Sequence, residues 1–561
     1  MQAPKPLPQR EERIAQLTEK PLDVLIVGGG ITGSGLALDL QMRGLRTAIV
    51  ERGDWAGATS SASSRLIHGG LRYLEQLEIG LVRESCLERG LLMKNAAGMV
   101  WPERFLFPLH RGFESPTRLK LMAGLGLYTL VSIPRMLGLP KMHGRGTVQG
   151  WLPGVRTQGL VGGGSYLDGA SDDARLTLAV VATAMEQGAI ALSRMEATAF
   201  EDSTSAGTRV QLTDRRSGQS HEVETARVVL CGGPFTEILR GKAGLDGRWV
   251  QPTRGTHITV PRDRLPTQGA IIFASPVDGR VMFLIPWPNY TVIGTTDLDA
   301  DPKKEVAADA EEVRYLLDSA NGLVPTAQLK ESDVVSSWAG LRPLLASNTD
   351  DPSARSREER VEREGNIYTI AGGKLTGYRS MAEKLGQRIA RELSKGNKSA
   401  ISPTRTQALR GALSSVPQRP SWSDGRASDP RTHLDHVFDR RYAGLRPFLE
   451  KHLDSVTSGR DPLDEETLLG EIDWAADFED CLGIEDFCLR RTDLGYGPRS
   501  KLEAEAERIL ARLQAKLHWT PKEVAQQRDE LAAMIRRVHG WRSRAPENRA
   551  VEESSQEPHV A

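Results

Sequence analysis

The sequence predicts an α/β protein with a Rossmann-like dinucleotide-binding domain, a mainly antiparallel β domain and a C-terminal helical domain. Three stretches carry that prediction. Pro21 to Glu51 reads as one βαβ unit, the segments between Gln251 and Thr295 read as short strands, and the chain from His433 onward shows helical spacing. With 561 residues there is room for two or three domains.

The βαβ unit is specified position by position. Val24-Leu25-Ile26-Val27 is an apolar run rich in β-branched residues and predicts a buried parallel strand. Gly28, Gly30 and Gly33 then form G-x-G-x-x-G. Gly28 permits the turn out of the strand, Gly30 lets a pyrophosphate approach the helix N-terminus, and Gly33 lets the helix pack against the sheet. Ile31 to Met42 has helical spacing and stops at Gly44. Arg46 to Val50 is the second strand, and Glu51 ends it as the acid that accepts a ribose diol.

Composition removes several classes. Lys+Arg and Asp+Glu both number 73, so no basic excess points to nucleic acid as a partner. Cys86, Cys231, Cys481 and Cys488 form no C-x-x-C pair, so neither a metal nor a disulfide framework is expected. Residues 1–20 are polar and Pro-rich and read as a tail without a signal-peptide core. No apolar run reaches the roughly 18–20 residues that a membrane span needs.

Beyond Glu51, Thr59 to Ser64 is nearly all small hydroxyl residues, a run suited to phosphate or cofactor contacts. Glu78 to Val100 predicts a helix, and Trp101 to Arg111 an extended segment. Arg118 to Arg145 mixes apolar residues with Arg118, Lys120, Arg135, Lys141 and Arg145. That mix suits an interfacial membrane segment or a buried helix pair with basic ends. Arg227 to Leu230 is a strand ending at Cys231-Gly232-Gly233-Pro234, where Cys231 reads as a small buried residue or a reactive thiol. Asn366 to Arg379 is a strand, a glycine turn and a helix start. The expected boundaries are a dinucleotide domain over 21–245 with a return segment at 346–400, a β domain over 246–345, a linker over 401–430, helices over 431–544 and a disordered tail over 545–561.

Ala58 to Leu74, with its SSASSRLIHGGLRYL run, resembles the FAD-dependent (aerobic) glycerol-3-phosphate dehydrogenase family. RGTHITVP around His257, GTTD at Gly294 to Asp297, GLRPL around Arg342 and AGGKLTGYR around Lys374 are similar to the same family. The resemblance implies a glutathione-reductase-type FAD domain, a substrate domain and a helical cap. It implies oxidation of sn-glycerol 3-phosphate by hydride transfer to FAD, with electrons passed to a quinone. It also implies a cytoplasmic enzyme attached to the inner face of the cell membrane. A homodimer stays open as a further partner.

Residue by residue, the resemblance puts Arg72 on the phosphate with Tyr73 beside it, and a further substrate arginine at Arg357, with Arg355 as the alternative alignment. It offers His257 as the base, with His68 as a second candidate, and places Arg342 over the reacting oxygen. Lys374 is implied both on the substrate and at the flavin edge. The cofactor contacts are Gly28, Gly30, Gly33, Glu51, Thr59, Ser60, Ser61, Ser64, Gly233, Gly373, Lys374, Leu375 and Thr376. Where the family carries Ala-Thr-Gly-Pro, this chain has Cys231-Gly232-Gly233-Pro234, which keeps the turn and loses the threonine hydroxyl. Rival readings are an oxygen-using glycerol-3-phosphate oxidase, a flavin amino-acid oxidase and a non-catalytic FAD-binding protein. An arginine cluster for phosphate argues against the amino-acid oxidase.

Overall fold

The computed structural model describes residues 6–74, 78–111, 118–133, 135–203, 207–346, 359–413 and 465–544. The segments expected as the tail over 545–561 and as the first part of the helical domain lie outside the described residues, as does most of the linker.

The first sheet grows from the predicted unit. Strand β1 (Leu22–Val27), helix α2 (Ile31–Met42) and strand β2 (Thr47–Val50) follow the sequence pattern closely. Before them, the expected tail carries helix α1 (Arg10–Glu19), a correction to the polar reading. Its Leu17 is buried, and Arg10 and Arg13 reach Asp214 and Asp480 at 3.0 and 2.7 Å. The polarity that suggested a tail is therefore spent on buried ion pairs. To β1 and β2 the sheet adds β7 (Ile190–Leu192) on one side and β10 (Ser220–Leu230) with β18 (Ile367–Gly372) on the other, all parallel. Strand β17 (Glu359–Glu364) closes that edge antiparallel, and β8 (Met195–Ser203) and β9 (Gly207–Asp214) fold onto the outer half of β10. Parallel strands need crossovers. The α2 connection is one, and β18 returns the chain to this sheet after a long excursion.

The second sheet is mostly antiparallel. It contains β11 (Thr253–Pro261), β12 (Ala270–Ala274), β13 (Val281–Pro286), β14 (Tyr290–Gly294), β15 (Leu298–Asp299) and β16 (Ser336–Arg342). It also takes β3 (Leu66–Ile67), β4 (Val100–His110), β5 (Lys141–His143) and β6 (Leu160–Ser171). This corrects the expected boundary, because the sheet is not confined to 246–345. It recruits strands from within 21–245, and those strands alternate too weakly in sequence to be assigned to a second sheet.

Helices cover both sheets. Helix α3 (Ile79–Asn95), α4 (Arg118–Val131) and α5 (Arg145–Trp151) fall between second-sheet strands. Helices α6 (Asp173–Glu186) and α9 (Tyr378–Glu392) pack on α2, while α7 (Thr236–Lys242) and α8 (Ala310–Leu323) serve β10 and β11. The C-terminal helices α10 (Glu465–Phe478), α11 (Arg499–Leu517) and α12 (Pro521–His539) join a core shared with the second sheet. The linker reading needs one correction: Ser402, Thr404 and Leu409 are buried, so the described start of 401–430 is packed.

Candidate active site

A cavity of about 1840 Å³ runs between the two sheets and under the C-terminal helices. The β1–α2 turn forms one wall. Gly28 has φ +120°, and a Cβ there would lie 2.3 Å from the carbonyl oxygen of Cys231, so the turn admits only glycine. A Cβ on Gly33 would lie 1.9 Å from the Gly28 carbonyl oxygen. Gly33 therefore packs behind the turn, as its helix–sheet role requires, and does not line the cavity, which departs from the cofactor contact also expected of it. Glu51 does line it, with its carboxylate accepting from the amides of Gly29 at 2.7 Å and Gly53 at 2.8 Å. Burial pushes its carboxyl above the usual value despite those two bonds.

The hydroxyl run wraps this wall, but its hydroxyls are largely turned inward. Ser60 accepts from the Ile31 amide at 3.0 Å, at the N-terminus of α2. Thr59 donates to the Leu341 carbonyl at 2.6 Å, which ties the run to β16, and Ser61 donates to the Ala56 carbonyl at 2.7 Å. Ser64, expected on the cofactor, lines the cavity and hydrogen bonds Nε2 of His257 at 2.8 Å. A glycine turn, an adjoining helix N-terminus and a buried acid in one long cavity fit a dinucleotide cofactor.

His257 stands on β11 and is buried. Its ring stacks on Trp338 of the paired strand β16, with centroids 5.1 Å apart and planes 10° apart. On its other neighbour, β14, a Cβ at Gly294 would lie 2.2 Å from Cδ2 of His257, so that glycine makes the ring's position available. Nδ1 is buried and has no hydrogen-bond partner among the described residues. Burial, then the charges of Arg342 and Arg65, pushes the imidazole down to about 3, so it is neutral near pH 7. Arg342, at the end of β16, lines the same cavity. It donates to Asp297 at 2.8 Å, to the Thr295 hydroxyl at 2.9 Å and to the Thr296 carbonyl at 3.1 Å. The GTTD stretch therefore orients its guanidinium.

The return strand supplies the opposite wall. Gly233, Gly373, Lys374, Leu375 and Thr376 all line the cavity. The ammonium of Lys374 sits 3.6 Å from the centroid of the Tyr73 ring, and Thr376 donates to the His68 carbonyl at 3.3 Å. Thus Lys374 converges with His68 and Tyr73, which lie about 300 positions before it in sequence. Arg72 lies in the described backbone, but its side chain lies outside the description, and Arg355 and Arg357 lie outside the described residues altogether. Cys231 is buried with its thiol pushed up to about 12, which fits a packing residue and not a nucleophile.

Several features were not identified from sequence. Under the His68–Gly69 turn, Asp168 accepts from the Gly69 amide at 3.1 Å, from Arg89 at 2.8 Å and from the Tyr128 hydroxyl at 2.9 Å. All three side chains are buried, so the turn is held from α3, α4 and β6 at once. The cavity also extends into an apolar lobe lined by Phe105, Phe107, Tyr166, Leu121, Leu125 and Leu127, which leads toward α4. On its outer side α4 exposes Leu119 and Leu130 at 76% and 65%. The Asp173 of the sequence's DDARL element anchors the hydroxyl run, accepting from the amide and hydroxyl of Ser63 at 3.0 and 2.6 Å. Ser63 and Asp173 lie 110 positions apart, so the sequence carries no local signal of that contact.

The fold and cavity define a flavoprotein oxidoreductase: the chain belongs to the FAD dependent oxidoreductase family, which residues 23–390 match. Within it, the chain falls among the aerobic glycerol-3-phosphate dehydrogenases. It is 37% identical over 390 residues to the aerobic glycerol-3-phosphate dehydrogenase of Staphylococcus saprophyticus, covering 69% of this chain and 70% of that one. It is 35% identical over 405 residues to the Staphylococcus aureus protein of that name, covering 72% of each. The structure of a glycerol-3-phosphate dehydrogenase from Bacillus halodurans complexed with FAD superposes with a TM-score of 0.76 at 27% identity, covering 96% of this chain and 99% of that one.

Proposed function

We propose that the protein is an FAD-dependent sn-glycerol-3-phosphate dehydrogenase, yielding dihydroxyacetone phosphate and passing electrons to a quinone. The observation that carries this reading is a neutral, rigidly stacked imidazole beside an oriented guanidinium, in the same cavity as the dinucleotide turn. When bound, FAD accepts the hydride from carbon 2. The protein's own part is proton handling and orientation. His257, hydrogen-bonded to the Ser64 hydroxyl through Nε2, is the group proposed to take the hydroxyl proton. Burial first, and then the charges of Arg342 and Arg65, keep the imidazole neutral, and the substrate phosphate offsets the arginine part of that effect. Arg342 stabilises the oxygen as its proton leaves. Arg72 and Arg357 are proposed on the phosphate through the family resemblance, and Tyr73 with Lys374 closes the wall beside them.

A quinone acceptor at a membrane surface is supported by the apolar lobe and by the outer face of α4. Among the described residues no helix is long and apolar enough to cross a membrane. Helix α4 nonetheless buries Leu121, Leu125 and Tyr128 on one face while exposing Leu119, Met122 and Leu130 on the other. Exposed apolar side chains beside Arg118 and Lys120 suit the interface of an anionic bilayer. Attachment to the inner face of the cell membrane follows from that reading.

The test is anaerobic mixing of the FAD-loaded protein with sn-glycerol 3-phosphate. Rapid bleaching of the flavin absorbance is expected, followed by faster reoxidation with a quinone analogue than with oxygen. A flavin that stays yellow overturns the substrate, and faster reoxidation by oxygen overturns the quinone acceptor in favour of the oxidase.

A further inference from the structure

The short segment Ser63-Ser64-Arg65 makes contacts in three directions. Ser63 is tied to Asp173, and its carbonyl accepts from Nε1 of Trp338 at 3.4 Å. Ser64 holds His257. Arg65, in the left-handed region at φ +57°, turns its buried side chain away into an aromatic box. Its guanidinium carbon lies 4.1 Å from the ring centroid of Trp287, 5.3 Å from Tyr496 and 5.4 Å from Trp338. Asp493 pairs with it at 3.4 Å. Trp338 is therefore shared, with His257 stacked on it and Tyr496 meeting it edge-on at 5.3 Å. Asp493 and Tyr496 belong to the C-terminal helical region, whereas Ser64, His257 and Trp338 belong to the catalytic wall.

We infer that Arg65 is a positioning residue that couples the seat of the C-terminal helical region to the base, fixing His257 through Ser64 and through the shared ring of Trp338. The geometry allows little independent movement. Displacing the Asp493–Tyr496 turn withdraws two sides of the box from Arg65, and the adjacent Ser64 hydroxyl moves with the Arg65 backbone. An unusual backbone conformation held by a buried cation over three aromatic rings is a costly arrangement at a site where precision matters. Arg65 also contributes its charge. The charged groups facing His257 are Arg342 from β16 and Arg65 from the hydroxyl run, with Asp297 behind the first and Asp493 and Asp173 behind the second. Removing Arg65 thus changes both the position and the protonation of the imidazole. This inference rests on His257 being the base.

The experiment compares Arg65→Met, Arg65→Lys and His257→Gln in the FAD-loaded full chain, with sn-glycerol 3-phosphate and a quinone analogue. Flavin content, KM, kcat and the acid limb of kcat against pH are read for each. Arg65→Met is expected to keep FAD and hold KM within about threefold while kcat falls tenfold or more. Its acid limb should move up by about one pH unit, because a neighbouring cation has gone. Arg65→Lys should restore the limb and only part of kcat, since an ammonium replaces the charge but not the planar stack. A Met variant with the parent kcat and limb overturns the inference. So do Met and Lys variants that lose kcat equally with an unmoved limb, which would mark a packing role alone. Where Arg65→Met loses its flavin, Arg65→Gln, which also removes the charge, is read in its place against Arg65→Lys by the same criteria. Should His257→Gln keep the parent turnover and limb, the base assignment fails and this inference falls with it. If His257→Gln abolishes turnover while Arg65 changes nothing, only the coupling fails.

Discussion

The seam beneath the C-terminal helices and the outer face of α4 bury and expose the wrong things by ordinary measures. The seam buries charge. Asp54 pairs with Arg491 at 2.9 Å and also with Arg490, Arg175 meets Glu479 at 2.7 Å, Arg13 meets Asp480 at 2.7 Å, and Arg194 meets Asp486 at 2.9 Å. Helix α4 exposes oil, with Leu119 and Leu130 more than half accessible. The difference lies in what each surface must meet. Buried ion pairs tolerate one partner geometry and penalise every other, so they suit two parts of one chain that must meet in a single register. Exposed apolar side chains accept any apolar environment, so they suit a fluid partner without fixed shape.

The contrast can be broken at either end. The largest effect is expected from Asp54→Ala, which leaves Arg491 buried with carbonyls but no carboxylate. Unfolding in urea should show a loss of about 3–5 kcal/mol, and a loss below about 1 kcal/mol would show the seam to be ordinary packing. Acid probes the same seam. Burial raises the carboxyls of Asp54 and Asp480, and the adjoining arginines more than reverse that, so both are held below the ordinary value of 3.8. Their contribution is full above that value and is lost as pH falls through the depressed folded values. A thermal midpoint that does not fall as pH is lowered below 3.8 would contradict this sign.

At the other end, Leu119→Asp with Leu130→Asp should lower partition onto anionic vesicles at least about tenfold while shifting stability by less than about 0.5 kcal/mol. Unchanged partition would remove α4 as the contact. The smallest effect is expected from Tyr128→Phe, which removes one donor to Asp168 and should cost about 1–2 kcal/mol. It should also lower turnover modestly, because the His68–Gly69 turn loses a support. Normal turnover at reduced stability would separate α4 from the site.

Much of this architecture is written locally and was legible. The β1–α2–β2 unit depends on glycines, an apolar run and an acid at fixed spacing, and each of those residues acts within about thirty positions of the next. The same holds for the strand, turn and helix around Lys374. What escaped depends on distant partners. Arg10 and Arg13 made residues 1–20 look like a solvated tail because their carboxylates lie at Asp214 and Asp480. Strands β3 to β6 fell within the expected dinucleotide domain over 21–245, because sheet membership is decided by pairing, which local pattern does not encode. The bond from Ser64 to His257 escaped because a hydroxyl run looks alike whichever way each hydroxyl points. Trp338 and Arg65 stood beside motifs already singled out, but stacking across paired strands carries no spacing signal.

The ion pair at Asp54 also has a consequence for how the protein folds. Arg490 and Arg491 lie 436 and 437 positions after the carboxylate they pair with. The glycine turn and Glu51 stand close to Asp54 in sequence, yet the loop that follows them has its buried charge matched only by a segment 436 positions further on. Long-range closure of this kind is slow, because the ends of a long loop must meet before the contact stabilises anything. The loop beside the dinucleotide wall is thus completed from far along the chain, and a chain cut before Arg490 leaves Asp54 without these two arginine partners.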